Sequence, residues 1–239
     1  METNEQIKIE KYFSNREVDN TYYGAYNVPR YLKHILPSNK NAKILDIGCG
    51  FGQFLGELKQ LGYTGLKGID INDEAINACK KKGLDVTQIS DIVEYAKASD
   101  TKYDFITMSH VLEHIEKSKI IDTLIHIKKY LLNEGGSFVL MVPNAQSFTG
   151  SYWRYEDFTH HIMFTAGSCT YVLKSAGFNH VEFIDPDGTQ HMSFFKKIII
   201  KCLISIYKIR EDFWSLVLQT SYHKPSPRIY SFEIKVLAK

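Results

Sequence analysis

The sequence predicts an α/β fold of the doubly wound kind, in which helices cover both faces of a largely parallel sheet. Between about residues 41 and 144, short runs of β-branched and other apolar residues alternate with amphipathic helical stretches, the order that βαβ units produce. The first apolar run leads into a loop with glycine at every second position, Gly48, Gly50 and Gly52. Such a loop lets the backbone come close to a ligand. A ligand site is therefore expected where the first strand ends.

Length and composition limit the class of protein. With 239 residues, 44% of them apolar, the chain can form one main core and a small appendage. The 29 basic and 27 acidic residues nearly balance, which argues against a nucleic-acid partner held by a broad basic face. Four widely spaced cysteines and an N-terminus without a basic start and apolar core predict a cytoplasmic protein with reduced thiols.

The segment before the glycine loop, residues 1–40, is rich in tyrosine and phenylalanine. Because such a segment is too apolar for a disordered tail, we predict an N-terminal helical cover that contributes to the rim of the site. Helical periodicity then predicts helices over residues 51–61, 74–82 and 120–132.

The predicted strands end on polar side chains. The second strand, residues 65–70, ends at Asp70, and the third, near residues 86–89, is followed by Asp91 and Ile92. The fourth strand runs over residues 103–108 into Ser109, and the fifth covers residues 137–144. In open α/β sheets ligands bind beyond the carboxyl ends of the strands, so these side chains are expected near one site.

The rest of the chain continues the pattern. A polar, aromatic loop at 145–165 precedes a predicted helix at 167–176 and a sixth strand at 179–184, and residues 228–238 alternate as a strand does. We therefore predict four parts: the N-terminal cover (1–40), the core (41–185), a helical insertion or cap (186–227) and a final edge strand (228–239).

The glycine spacing identifies the kind of cofactor loop. The dinucleotide fingerprint Gly-x-Gly-x-x-Gly would require its third glycine at position 53, which is Gln. Asp46-x-Gly-x-Gly-x-Gly is instead similar to the cofactor loop of class I S-adenosylmethionine-dependent methyltransferases. The resemblance covers about residues 40–185 and the stretch from 228 onward. It implies a Rossmann-like seven-stranded sheet with an antiparallel last strand, and S-adenosyl-L-methionine as the cofactor.

The resemblance also assigns expected cofactor contacts. Asp70 would accept hydrogen bonds from the ribose, Asp91 would lie near the adenine amino group, and Ile92 would pack on the ring. A lone acid at a strand tip is more often structural, but the joint occurrence with the glycine loop favours binding. The full predicted set is Asp46, Gly48, Gly50, Gly52, Asp70, Ile71, Asp91, Ile92 and Ser109.

The loop at 151–165 carries the predicted substrate chemistry, because its charged and aromatic residues suit a pocket better than a core. Transfer to a hydroxyl oxygen requires a group that takes the proton. His160 is the first candidate base, with Asp157 orienting it or binding the acceptor and His110 as a rival base. Arg154, Tyr155 and His161 are predicted to bind substrate. Alternatively, Asp157, Thr159 and His160 cap the helix that begins near Gly167 or pin the loop.

No metal site is predicted. Adjacent His160 and His161 seldom reach one ion, and the spacing of His110 and His114 has no carboxylate partner that sequence can identify. Glu113 and His114 are expected to begin a helix and face outward. The segment His-Val-Leu-Glu-His at 110–114 is similar to one in many small-molecule methyltransferases.

The predicted reaction is O-methylation of a sugar or cell-surface glycan intermediate, because Arg-Tyr-x-Asp-Phe-Thr-His at 154–160 resembles bacterial methyltransferases of polysaccharide biosynthesis. A quinone or other lipid-like acceptor is one alternative, and a catalytically silent cofactor-binding scaffold is another. Residues 194–208 combine large apolar residues with four lysines. A cap or homodimer helix is favoured there over peripheral contact with the inner membrane face.

Overall fold

The computed structural model describes residues 12–19, 21, 26–221, 223 and 226–239. It contains seven strands: β1 (Lys43–Ile47), β2 (Gly65–Asp70), β3 (Val86–Gln88), β4 (Tyr103–Ser109), β5 (Leu132–Pro143), β6 (Val181–Phe183) and β7 (Glu233–Ala238). They form one sheet in the order β3-β2-β1-β4-β5-β7-β6. The pairs β1 with β2, β1 with β4 and β2 with β3 are parallel. The predicted doubly wound α/β class is confirmed.

The last strand departs from its predicted position. β7 lies between β5 and β6 and pairs with β6 in antiparallel fashion, with Val181 opposite Ala238. The prediction of an antiparallel strand is correct, whereas the prediction that it forms the edge is wrong. Its burial explains this, because five of its six residues are buried, as an interior strand requires.

The main helices follow the predicted order, with differences at their ends. They are α1 (Tyr12–Asn15), α2 (Arg30–Lys33), α3 (Gln53–Gln60), α4 (Asp73–Lys81), α5 (Ile92–Ala98), α6 (Ile120–His126), α7 (Gly150–Glu156), α8 (Ala166–Ser175) and α9 (Phe194–Val217). A π-helical turn, Ile127–Leu131, continues α6. Helix α7 was not predicted, since Gly150 and the aromatic residues around it are poor helix formers.

The chain divides into two compact units. The first contains the described residues up to Val28 together with 36–109 and 125–139, and it holds the glycine loop. The second contains residues 29–35, 110–124 and the described residues from Leu140 onward. It holds the loop at 145–165, β6, β7 and α9.

Only part of the predicted N-terminal cover lies within the described residues, because 1–11, 20 and 22–25 are outside them. The described part has two four-residue helices, α1 and α2. Phe13 packs on Phe51, with ring centroids 4.6 Å apart, in a small apolar cluster with Val18 and Ala75. This part of the N-terminal segment therefore covers the glycine loop.

Helix α9 is 24 residues long and has no buried residue. Its half-buried side chains form one stripe, Lys197, Ile200, Ile204, Tyr207, Glu211 and Ser215. Among the described residues, no helix combines the length and the apolar character needed to cross a membrane.

A glycine-loop site and a buried histidine cluster

The glycine loop joins β1 to α3. Every second residue of the loop has a left-handed backbone conformation. Gly48, Gly50 and Gly52 have φ angles of +73°, +50° and +75°, values that other residues adopt only with strain. A Cβ on Gly52 would lie 2.5 Å from Leu84 Cδ1 and 2.7 Å from Cys79 Sγ, so this glycine is also required for packing. Among the described residues, a Cβ on Gly50 would have one neighbour within 4 Å, Phe13 Cζ at 3.9 Å. Space for a ligand therefore lies beside Gly50.

Asp70 links the tip of β2 to this loop. Its Oδ2 accepts a hydrogen bond from the Gly50 N–H at 2.8 Å, and its Oδ1 accepts one from the Asn72 N–H at 2.9 Å. Burial raises the pKa of Asp70, and the backbone donors partly offset the rise. Because a carboxylate has about four lone-pair positions, two backbone bonds leave it able to accept bonds from a ligand as well.

Asp46 lies beside Asp70 at the end of β1 and is likewise buried. Its Oδ1 accepts a hydrogen bond from the Thr107 hydroxyl at 2.7 Å, across the β1–β4 pair in which the two residues are in register. Burial and the charge of Asp70 outweigh that bond and raise the pKa of Asp46 to about 7. Two buried carboxylates of this kind favour a cationic ligand.

The other predicted cofactor residues of this unit lie at the tips of β2, β3 and β4. Ile71 keeps 41% of its surface exposed, unusual for an isoleucine and suited to a flat apolar ligand. Asp91 caps α5, with Oδ1 accepting a hydrogen bond from the Glu94 N–H at 3.0 Å. Ile92 and Ser109 are half-buried. The open space beside Gly50, the exposed Ile71 and the buried acids fit a cofactor with an aromatic ring, a diol and positive charge.

The second unit contains a buried cluster that was not predicted. Glu113, in the short 3-10 helix Leu112–His114, is fully buried. Its carboxylate and one ring nitrogen each of His114 and His160 lie within 4.8 Å of one another. The two imidazole rings meet edge to face, with centroids 4.7 Å apart. The expectation that Glu113 and His114 face outward from a helix is wrong, because the 3-10 turn directs Glu113 inward.

His110 is held between two acids. Its Nδ1 lies 3.2 Å from Glu113 Oε1, and its Nε2 lies 3.1 Å from Glu233 Oε2. Desolvation opposes the charged ring, but the two carboxylates raise the pKa of His110 well above its usual range. Since a carboxylate only accepts hydrogen bonds, Nε2 donates its proton to Glu233, and the Glu113 charge further favours the protonated ring. This geometry makes His110 a poor general base.

Asp157 organises the loop that carries His160. Its Oδ1 accepts hydrogen bonds from the Thr159 N–H at 3.0 Å and from the Thr159 hydroxyl at 2.6 Å, and Thr159 Oγ1 contacts His114 Nδ1 at 2.8 Å. Its Oδ2 lies 3.8 Å from His160 Nε2. Helix α8 is capped instead by Thr165, so Asp157 pins the loop and does not cap the next helix.

The predicted substrate residues lie on the outer side of this loop. Arg154 donates a hydrogen bond from a guanidinium nitrogen to the His161 carbonyl at 3.1 Å. Tyr155 is 80% exposed, and His161 is also exposed. These side chains are accessible to a ligand.

Comparison with known proteins decides the family. A family model described as a methyltransferase domain matches residues 21–183, more than half of the chain. The chain belongs to this methyltransferase family.

Individual relatives are distant. An O-methyltransferase, adaD, of Aspergillus niger is 30% identical over 125 residues, which is 45% of this chain and 49% of that protein. The methyltransferase thus spans about half the length of this curated relative. A methyltransferase structure from Archaeoglobus fulgidus has a TM-score of 0.64 at 23% identity, covering 95% and 97% of the two chains. A Haemonchus contortus phosphoethanolamine N-methyltransferase with S-adenosyl-L-methionine has a TM-score of 0.59 at 16% identity, covering 96% and 59%.

The buried acid pair gives this methyltransferase a testable pH dependence. An aspartate whose pKa rises on folding stabilises the fold below its unfolded pKa and loses that contribution as the pH rises through the folded value. For Asp46 the loss runs from about pH 4 to about pH 7 and is on the order of 3–4 kcal/mol. Asp46→Asn should therefore raise the melting temperature by several degrees at pH 8.5, and the gain should be clearly smaller at pH 5, where only part of the loss has occurred.

Asp85→Asn is a matched control, because the Asp85 side chain is 69% exposed and pairs with Lys67 at the surface. It should not show the same pH-dependent gain in melting temperature. If Asp46→Asn also weakens calorimetric binding of S-adenosylmethionine, the Asp46 charge serves the cofactor at the cost of stability. Equal melting temperatures of wild type and Asp46→Asn at pH 8.5 would refute the raised pKa.

Proposed function

We propose that this methyltransferase transfers the methyl group of S-adenosylmethionine to a hydroxyl oxygen of a sugar or glycan intermediate. The observation that supports an oxygen acceptor is the buried cluster of Glu113, His114 and His160. A hydroxyl must lose its proton as the new bond forms, whereas a neutral amine can attack without such help. A buried group of proton-accepting side chains is therefore suited to an alcohol.

The cofactor supplies an activated methyl group on a sulfonium. The residues proposed to hold it are the glycine loop, the buried pair Asp46 and Asp70, Ile71, and the strand-tip residues Asp91, Ile92 and Ser109. Asp70 would bind the ribose while it fixes the loop through the Gly50 N–H. The exposed face of Ile71 would pack on the adenine ring. Their task is orientation, because alignment of nucleophile, carbon and sulfur supplies much of the acceleration.

Within the cluster, His160 is the proposed base in the absence of any bound ion. Its Nδ1 lies 2.9 Å from the Trp153 carbonyl oxygen, which can only accept, so Nδ1 carries the ring proton. Nε2 then has a lone pair for the acceptor proton, and Asp157 Oδ2 at 3.8 Å stabilises the resulting imidazolium. As the oxygen–carbon bond forms, the carbon–sulfur bond breaks and sulfur keeps its electron pair.

Arg154, Tyr155 and His161 support a sugar substrate. An Arg and two exposed polar or aromatic side chains on one loop suit a hydroxylated molecule that carries an acidic group. The test uses cofactor with a ¹³C-labelled methyl group and panels of nucleotide sugars, lipid-linked sugars and quinones. NMR then shows whether the label is bonded to oxygen or nitrogen, and label on nitrogen would refute an oxygen acceptor.

Helix α9 supports an acceptor that is held at a lipid surface. Opposite its half-buried stripe lies an apolar stripe at helical spacing, Phe195, Ile198, Cys202, Ile206, Ile209 and Phe213, all of them exposed. Lys196, Lys201 and Lys208 are exposed as well, and residues 194–208 contain no acid. We propose that this face lies on an acidic membrane surface, with apolar side chains in the acyl boundary and lysines at the headgroups.

Sedimentation with vesicles tests the proposal for α9. The wild-type protein should sediment with acidic vesicles at low salt and be released by high salt. Changing Lys196, Lys201 and Lys208 to Glu should abolish this binding, whereas changing three exposed lysines on other helices, Lys80, Lys81 and Lys97, to Glu should not. If neutral and acidic vesicles bind equally, or if light scattering shows a stable dimer that ignores vesicles, the face contacts protein instead.

A further inference from the structure

We propose that Glu113, His114 and His160 bind a divalent first-row transition-metal ion. This proposal deepens the proposed function, on which its catalytic role rests, but the binding itself does not depend on the acceptor. Two imidazole nitrogens and one carboxylate are a donor set that suits ions such as Zn²⁺, Fe²⁺, Co²⁺ or Mn²⁺. Mg²⁺ and Ca²⁺ favour oxygen ligands alone.

The geometry is close to that of a bound ion. Ligand atoms at about 2.0–2.2 Å from one ion lie roughly 3.0–3.5 Å apart in tetrahedral or cis-octahedral positions. One atom of each of the three residues lies within 4.8 Å of the others. The three donors would have to approach one another by up to about 1.5 Å to reach coordination distance.

The burial of Glu113 provides the independent observation. Its side chain is fully buried, and neither carboxylate oxygen receives a hydrogen bond within the described part of the chain. The contact with His110 Nδ1 at 3.2 Å is an ion pair only. A buried carboxylate without hydrogen bonds is costly. A cation held between Glu113 and the two histidines would remove that cost.

Each of the two histidines makes a hydrogen bond through the ring nitrogen that would not bind the ion, and these bonds orient the rings as in known metal sites. A ligating imidazole typically donates its second N–H to a carbonyl or to a group held by a carboxylate. His160 Nδ1 contacts the Trp153 carbonyl at 2.9 Å, which leaves Nε2, 3.8 Å from Asp157 Oδ2, as the nitrogen that would bind the ion. His114 Nδ1 contacts Thr159 Oγ1, whose proton goes to Asp157, so His114 would also ligate through Nε2.

The role of the ion follows from these ligands. Three protein donors leave coordination positions for the acceptor hydroxyl, and a bound cation lowers the pKa of such a hydroxyl. The hydroxyl then releases its proton to water before its oxygen bonds to the methyl carbon. With Nε2 of His160 bound to the ion, the imidazole no longer acts as the base.

Metal binding is measured on the 239-residue chain after a chelator has removed any ion that the protein already holds. Titration with Co²⁺ should produce visible absorption bands that saturate at one ion per chain, and Zn²⁺ should displace the Co²⁺. Glu113→Gln and His160→Ala should each weaken binding at least ~100-fold, since loss of outer contacts alone costs 10–100-fold. His161→Ala, which changes the adjacent exposed histidine, should bind Co²⁺ as the wild type does.

Thermal melting separates loss of the site from loss of the fold. The ion should raise the melting temperature of the wild type and of His161→Ala, but not of Glu113→Gln. Glu113→Gln removes a buried charge and is expected to fold. Absence of stoichiometric Co²⁺ and Zn²⁺ binding by the wild type, or equal binding by Glu113→Gln, would overturn the metal proposal. Methyl label on nitrogen in a metal-binding protein would refute only the proposed acceptor.

Discussion

Gly50→Val is expected to abolish calorimetric binding of S-adenosylhomocysteine, the product form of the cofactor. Gly50 has a φ of +50°, which a β-branched residue adopts only at a large energetic cost. Its N–H donates to Asp70, so a change in its backbone also displaces the proposed ribose ligand. The valine methyl groups would extend into the open space beside Gly50. All three effects act on cofactor affinity.

Gly62→Val is the matched control. Gly62 also has a positive φ, +86°, and a Cβ there would meet no atom of the structurally described part of the chain within 4 Å. It follows α3, away from any proposed contact with the cofactor. This variant should lose stability through the same backbone strain and still bind S-adenosylhomocysteine. Comparable affinities of wild type and Gly50→Val would show that the cofactor does not bind at this loop.

Asp70→Ala is expected to weaken S-adenosylhomocysteine binding by about 2–4 kcal/mol, since the two proposed hydrogen bonds from the ribose to the Asp70 carboxylate would be lost. The same carboxylate fixes Gly50 and Asn72, so the melting temperature should fall as well. Affinity therefore has to be measured well below the melting temperature of the variant. An unchanged affinity would exclude Asp70 as a cofactor ligand.

The parts of the fold that the sequence predicted correctly are those with local signals. Apolar runs of four to six residues and the glycine loop identify β1, β2 and β4, because each signal lies within one strand and the turn that follows it. The caps at Asn72 and Asp91 were not predicted, although each acts on the helix that directly follows it. Such features do not depend on distant contacts.

The features that were missed depend on contacts between distant residues. The interior position of β7 depends on pairing with β6, some 50 residues earlier, which no local pattern reports. Glu113 and His160 are separated by 46 positions of sequence and meet only after both loops fold. The aromatic content of 150–156 favoured a loop, although tertiary packing makes it helix α7. A buried acid between two histidines can be recognised only in three dimensions.

His160→Ala is expected to lower turnover by ~10²–10⁴ while the affinity for S-adenosylhomocysteine stays close to that of the wild type. None of the proposed cofactor contacts involves His160, so cofactor binding should tolerate the change. In the metal-free protein, the residual activity should rise with pH as hydroxide replaces the missing base. The measurements are initial rates across pH, with calorimetry at one pH.

The variant His160→Asn separates a structural role of His160 from a role in catalysis. The His160 side chain is 7% exposed, and its Nδ1 proton satisfies the Trp153 carbonyl, so alanine leaves a cavity and an unpaired carbonyl that cost ~1–3 kcal/mol. Asparagine can restore the bond to Trp153 but has no nitrogen lone pair for a proton or an ion. Recovery of the melting temperature without recovery of turnover would identify Nε2 as the functional atom. Normal turnover in His160→Asn, together with loss of turnover in His110→Ala, would place the base at the end of β4.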